Sequence, residues 1–305
     1  MARVTLLDGS IGQELVKRSG DPATAFWSTT VMLDKPNLVA EVHADYFRSG
    51  ATVATTNTYT ALRERLKAGG LEHRLTELWD MALGAARDAR DGNGFGRVAA
   101  SIGPLFASYR PDICPPAKDA ARLYAEVVDA LSPHADLLLI ETMSSIEQAE
   151  GAMRAAKKTT LPVWLSFSVN DFDGTKLRSG ETLSKTMSLI ERHEPQAVLV
   201  NCSRPEAVSE AITVISRFGI PFGAYANGFA QISEAFLGDA PTVDLLEQRS
   251  DLVPDSYAEF AMRWIDSGAT IVGGCCEVGP AHIKEIAEKQ IAAGHDIVKP
   301  STPQI

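Results

Sequence analysis

Short apolar runs rich in β-branched residues recur along the chain, separated by stretches whose apolar positions repeat every three or four residues. Eight runs stand out: Val4–Leu7, Ala51–Thr55, Val98–Ile102, Leu137–Ile140, Val163–Phe167, Ala197–Val200, Phe222–Tyr225 and Ile271–Gly274. Several are continuous rather than alternating, the pattern of parallel strands covered on both faces. Between them, Leu62–Arg90, Lys118–Leu131, Ser145–Lys158, Leu183–Arg192, Pro205–Phe218 and Asp255–Ser267 carry helical spacing. A last helix is predicted over 280–293, with Pro280 at its first position. Strand followed by helix, eight times over, predicts an α/β fold of the (β/α)8 TIM-barrel class, with residues 1–305 forming a single domain. A doubly wound sheet with an appended domain is the alternative. Gly9–Lys35, Asn170–Gly180 and Asn227–Pro254 read as irregular loops after strands, on the face where barrel active sites form.

Polar residues gather at the ends of these runs. Asp8 follows the first, Thr55-Thr56-Asn57 the second, Glu141 the fourth, Cys202 the sixth, Asn227 the seventh and Cys275-Cys276 the eighth. In a barrel all these positions converge on one mouth. Three of the four cysteines then become neighbours, which points to a metal site: three thiolates suit zinc and leave its fourth position open for substrate. A strained Cys275-Cys276 disulfide, or three small buried apolar side chains, would leave the same pattern. Gly273-Gly274 favours the metal by freeing φ where the backbone must aim consecutive thiolates. Asp8 and Glu141 at the same rim can serve as acid and base, as ligands, or as acceptors for a substrate ammonium; as ordinary residues they would be a turn aspartate and a helix-end charge. An electron-rich trithiolate zinc is a poor activator of water, yet it can hold a substrate thiol as a thiolate nucleophile.

Composition narrows the class. Hydrophobic residues make up 45% and charged residues 22% of 305, an ordinary globular balance. A net charge of −10 argues against nucleic acid or an anionic membrane as partner. No apolar run approaches a membrane span, and no signal segment is read at the N-terminus. Few cysteines and no disulfide framework place the protein in a reducing cytoplasm. Cys114, among prolines, is not read as a ligand; His43, His73, His134 and His193 are read as surface or packing residues, and His282 is the histidine nearest the predicted site. A redox barrel using Cys275-Cys276, or a non-catalytic zinc- or thiol-binding barrel, is the rival class, and the absence of Cys-x-x-Cys counts against redox chemistry.

Leu7-Asp8-Gly9, Thr56-Asn57-Thr58-Tyr59, Glu141-Thr142, Asn201-Cys202 and Gly273-Gly274-Cys275-Cys276, in that order over nearly the whole chain, resemble the zinc-dependent homocysteine S-methyltransferases. The resemblance implies a barrel with Cys202, Cys275 and Cys276 as zinc ligands, and a homocysteine sulfur in the open position attacking a methyl group on an onium donor. It implies that Asp8 and Glu141 hold the substrate ammonium, that Gly9 and Thr56 lie near its carboxylate, and that Trp27 occupies an aromatic substrate-binding position. Betaine-using relatives look to have tyrosines where this chain has Thr60 and Thr142. Two walls of a cation–π cage are thus missing, and a sulfonium donor such as S-methylmethionine or S-adenosylmethionine is favoured over betaine. Another thiol or a selenol remains open as acceptor.

Overall fold

The computed structural model describes residues 1–21, 26, 28–238 and 241–301. The eight apolar runs form eight parallel strands: β1 (Arg3–Leu6), β2 (Val53–Thr55), β3 (Arg97–Ile102), β4 (Leu137–Met143), β5 (Val163–Phe167), β6 (Ala197–Asn201), β7 (Phe222–Tyr225) and β8 (Ile271–Val272). They pair in sequence order from β2 to β8, and β8 pairs with β1 through Thr5 and Ile271. Leu7, just past β1, bridges Val53 of β2 in the parallel sense, and the Thr52 N–H donates to the Leu6 carbonyl at 2.7 Å. That contact joins the first strand to the second and curls the sheet into a TIM-type barrel. A short strand near the C-terminus, Asp296–Ile297, pairs with the opening residues of β1 on its other side.

Side chains of one strand face fill the barrel: Leu7, Val53, Ala99, Leu139, Trp164 and Leu199 belong to one buried cluster. The other face packs under the helices in a much larger core that includes Leu6, Ala54, Ile140 and Val200. Each Leu or Val removed from water contributes roughly 1.5–3 kcal/mol. The barrel therefore has a core of its own, away from the rim. Among the described residues no helix is long and apolar enough to cross a membrane.

The connections between strands differ from the expectation in three places. Gly9–Lys35, read as irregular, carries helices Ile11–Ser19 and Ser28–Asp34, with a third, Pro36–Arg48, directly after. Ile11–Ser19 buries only Ile11 and Leu15, too few apolar positions to announce a helical period. The stretch read as one helix over Leu62–Arg90 is a turn of helix at Arg63–Leu66, two tight turns around Gly69-Gly70, and then Leu75–Asn93. Asn170–Gly180 contains an antiparallel hairpin, Val169–Asn170 against Asp173–Leu177.

Candidate metal centre and substrate pocket

The three cysteines meet at the barrel mouth. Their sulfur atoms lie within 4.8 Å of one another, and those of Cys202 and Cys276 are 3.8 Å apart. A tetrahedron built on Zn–S bonds of about 2.3 Å has edges of about 3.8 Å, so the thiols stand at ligand spacing without a disulfide. The end of β7 holds both cysteine segments: Cys202 N–H donates to the Tyr225 carbonyl at 3.2 Å, and Cys275 N–H to the Ala226 carbonyl at 2.9 Å. Cys202 sits at φ 49°, in the left-handed region that turns its side chain out of the strand path. Neither Gly273 nor Gly274 has a positive φ, so their use is not the φ freedom expected from the sequence. A Cβ on Gly274 would lie 2.1 Å from Val278 Cγ1, and one on Gly273 2.5 Å from Leu7 Cβ. They are glycines because the Cys275-Cys276 loop passes directly over its neighbours.

The thiols share their protons unequally. Hydrogen bonds from Cys275 and Cys276 hold the Cys202 thiol well below its ordinary range, and the same interactions push Cys275 and Cys276 up. A divalent cation would replace those protons and offset the charge of all three sulfurs, which is what this donor set suits. Cys114 lies outside the group, half-exposed, with its Sγ donating to the Pro115 carbonyl at 3.3 Å.

The acids stand on the strand ends around the same pocket. Asp8 is buried, accepting from Thr55 N–H at 2.6 Å and from the Thr55 hydroxyl at 2.7 Å. Burial outweighs those bonds and pushes its carboxyl up to about 8. Glu141 lies inside β4, not after it as the sequence reading placed it. It accepts from the Ser101 hydroxyl, from Tyr225 OH at 3.1 Å and from Asn201 Nδ2 at 3.4 Å. Burial pushes it up to about 7 against the Ser101 bond, and the charge at Cys202 adds to the rise. Two buried acids that resist ionisation can receive a cation, since an entering ammonium would supply the compensation that water cannot.

Gly9 and Thr56 also line the pocket. A Cβ on Gly9 would stand 2.0 Å from the Val278 carbonyl oxygen, so only glycine permits this approach. The Thr56 hydroxyl is already engaged, accepting from Ser101 N–H at 3.1 Å and paired with the Thr58 hydroxyl at 2.7 Å. Trp27 lies outside the described residues. His43, read as a surface or packing residue, is fully buried with its Nδ1 4.0 Å from Asp8 Oδ2, and burial pulls it down to about 4, so it stands neutral beside the acid. His282 is structural: its Nδ1 accepts from Gly279 N–H and its Nε2 meets the Leu252 carbonyl. His193 is tied to Glu150 at 2.9 Å, while His73 and His134 are exposed.

Sequence reasoning missed Ser101, Asn201 as a supporting group, Tyr225 and Tyr109. The first two continue the inward period of two beyond the apolar interior, Ala99 to Ser101 and Leu199 to Asn201, just as Leu139 leads to Glu141. A switch from apolar to polar at the inward position was the available signal.

The profile of the homocysteine S-methyltransferase family matches residues 5–290. Homocysteine S-methyltransferase of Escherichia coli is 29% identical over 304 residues, spanning 92% of this chain and 93% of that protein. Selenocysteine methyltransferase of Astragalus bisulcatus is 24% identical over 325 residues, spanning 93% and 91%. The crystal structure of the metallated form of the homocysteine methyltransferase MmuM from Escherichia coli matches with a TM-score of 0.79 at 26% identity, covering 94% of this chain and 96% of that one. A profile that runs from within β1 to beyond β8, on a barrel whose mouth gathers these thiols and acids, shows that the chain belongs to the homocysteine S-methyltransferase family.

Proposed function

We propose that residues 1–305 act as a single substrate-binding barrel that moves a methyl group from a sulfonium donor to homocysteine sulfur, with zinc held by Cys202, Cys275 and Cys276. The carrying observation is the set of three sulfurs at ligand spacing in a pocket that also holds two buried acids. Zinc bound there supplies the positive charge that keeps a substrate thiol ionised at neutral pH. Asp8 and Glu141 receive the homocysteine ammonium, which fixes the direction in which the amino acid enters. Gly9 and Thr56 border the space left for its carboxylate. In the transfer the substrate sulfur forms a bond to the methyl carbon as the donor's C–S bond breaks. The bonding pair stays on the donor sulfur, which leaves as a neutral thioether, and the pocket's part is to hold both partners in line.

The walls favour a sulfonium. Thr60 pairs with Thr29 at 2.9 Å and Thr142 accepts from Asn201 at 2.9 Å, so neither offers a π face. Tyr59 and Tyr109 line the pocket, yet each ring carries a guanidinium, Arg65 at 5.1 Å and Arg178 at 4.6 Å. Rings already holding a cation make a poor cage for a quaternary ammonium. A selenol acceptor is the second reading, favoured by the match to the selenocysteine methyltransferase.

Methionine formation measured with S-methylmethionine, S-adenosylmethionine and betaine at equal concentration and saturating homocysteine should be fastest with a sulfonium. Faster turnover with betaine overturns the donor assignment. Protein purified under reducing conditions should carry about one zinc per chain, and Cys202→Ala should lose the metal and the activity while keeping the fold. Full zinc retention by that variant overturns the ligand assignment.

A further inference from the structure

Helix Pro36–Arg48 packs two polar side chains against the segment that follows β1, His43 and Tyr46, three residues apart and so on one face of the helix. Tyr46 is engaged: its hydroxyl stands 3.2 Å from the carbonyls of both Ser10 and Val278. His43 is not. Its side chain is fully buried, and neither Nδ1 nor Nε2 has a hydrogen-bond partner among the described residues. Leaving a buried polar group unpaired costs stability that an apolar side chain of similar shape would not, so such a group needs a reason to be there. Asp8 Oδ2 lies 4.0 Å from His43 Nδ1, about 1 Å beyond hydrogen-bond reach.

Asp8 has room for that bond. Thr55 N–H takes one site on Oδ2 and the Thr55 hydroxyl one on Oδ1, while an ionised carboxylate accepts at about four. Burial, which raises the Asp8 carboxyl to about 8, keeps it protonated at neutral pH, and the uncharged pair has little to draw it together. An ammonium beside Asp8 changes this, because a charged acceptor binds an N–H more strongly and at shorter distance than a neutral one. We infer that His43 is a positioning residue for Asp8: its neutral imidazole donates from Nδ1 to Asp8 Oδ2 once a substrate ammonium is bound, and so fixes the carboxylate that holds it. This rests on the ammonium site proposed above. The bond does not involve the substrate sulfur or the methyl group, so it serves binding of the amino acid and not the transfer.

His43→Leu removes the donor and fills the space with an apolar side chain, while His43→Asn returns an N–H at Nδ2. Because His43 is unpartnered in the substrate-free protein, His43→Leu should unfold at a denaturant concentration no lower than the parent's. It should nevertheless bind homocysteine about 10-fold or more weakly, as expected for a lost hydrogen bond to a charged group. Mercaptobutyrate, which lacks the amino group, should bind as it does to the parent, and kcat at saturating homocysteine should be kept. His43→Asn should recover part of the lost affinity. In protein labelled with 15N-histidine, methionine should move the His43 Nδ1–H resonance downfield and mercaptobutyrate should not. Asp8→Asn separates the two levels of the reading. If it weakens both thiols equally, the ammonium site is wrong and the inference falls with it. If it selectively weakens homocysteine while His43→Leu weakens neither thiol, or both equally, the inference alone is overturned and His43 is a packing residue.

Discussion

At the scale of the residue, Glu141 shows how position and chemistry are joined. Its carboxylate is the inward side chain of β4 one step above Leu139, so it leaves the apolar interior just where the pocket begins. Three donors, Ser101, Tyr225 and Asn201, fix both oxygens, and Asn201 is itself fixed by Thr142 N–H at 3.0 Å and Ser166 Oγ at 2.8 Å. An ammonium entering there, as proposed for homocysteine, would meet an acceptor that no longer has to be ordered. Glu141→Gln keeps the shape and removes the charge, converting a charge-assisted bond into a neutral one at a difference of about 1–2 kcal/mol or more. Homocysteine affinity should fall roughly 5–30-fold or more, since each 1.4 kcal/mol is a factor of ten. Affinity for mercaptobutyrate, which has the thiol and carboxylate but no amino group, should hardly change. Competition of both thiols against turnover measures this, and equal losses would show Glu141 to be structural.

At the scale of the element, the site depends on how closely the end of β1 approaches the segment after Cys275-Cys276. Gly9 lies against the Val278 carbonyl and Tyr46, whose hydroxyl also reaches that carbonyl at 3.2 Å. Gly9→Ala places a methyl against rigid backbone, so the β1 end and Asp8 must shift; overpacking of this kind costs about 1–3 kcal/mol. Gly84→Ala, inside helix Leu75–Asn93 with open space around it, should instead stabilise by about 0.5–1 kcal/mol. Denaturant unfolding checks both, and Gly9→Ala should also weaken homocysteine binding. These cases mark what was legible in the sequence. All eight strands were, because a strand buried on both faces leaves a continuous apolar run, as in Val163–Phe167. The cysteines and acids were, because the barrel gathers strand ends that lie far apart in sequence. Helix Ile11–Ser19 was not, with only two buried side chains to set its period. Tyr109, which also lines the pocket, was not either: it comes from a loop crossing the mouth, where no periodicity constrains which side chains meet. The two glycines before Cys275 were noticed for the wrong physical reason, since close approach leaves the same residue in the sequence as unusual φ does.

At the scale of the whole molecule, the barrel buries both acids at its mouth, and that burial links substrate binding to pH. The net charge of −10 favours approach of a cationic donor, while the two pocket acids themselves resist ionisation. Because burial raises Asp8 to about 8 and Glu141 to about 7, both bind protons more tightly in the folded, substrate-free protein than in the unfolded chain. The stability they contribute is complete below their ordinary values near 3.8 and 4.5 and is lost as pH rises through 7 and 8. His43, held neutral down to about 4 from an ordinary 6.5, acts in the opposite sense below 6.5, so the acids are seen cleanly between about pH 6.5 and 8. An ammonium entering between them reverses the balance, favouring two carboxylates and expelling their protons. Methionine is the right probe, because it carries the ammonium but has no thiol proton to lose. Its binding near pH 7 should release protons to the buffer, and its affinity should rise from about pH 6 to pH 8. Titration calorimetry in buffers of different ionisation enthalpy counts the protons, and Glu141→Gln should release fewer than the parent. Methionine binding with no proton release and no pH dependence across that range would show that these acids are not the ammonium site.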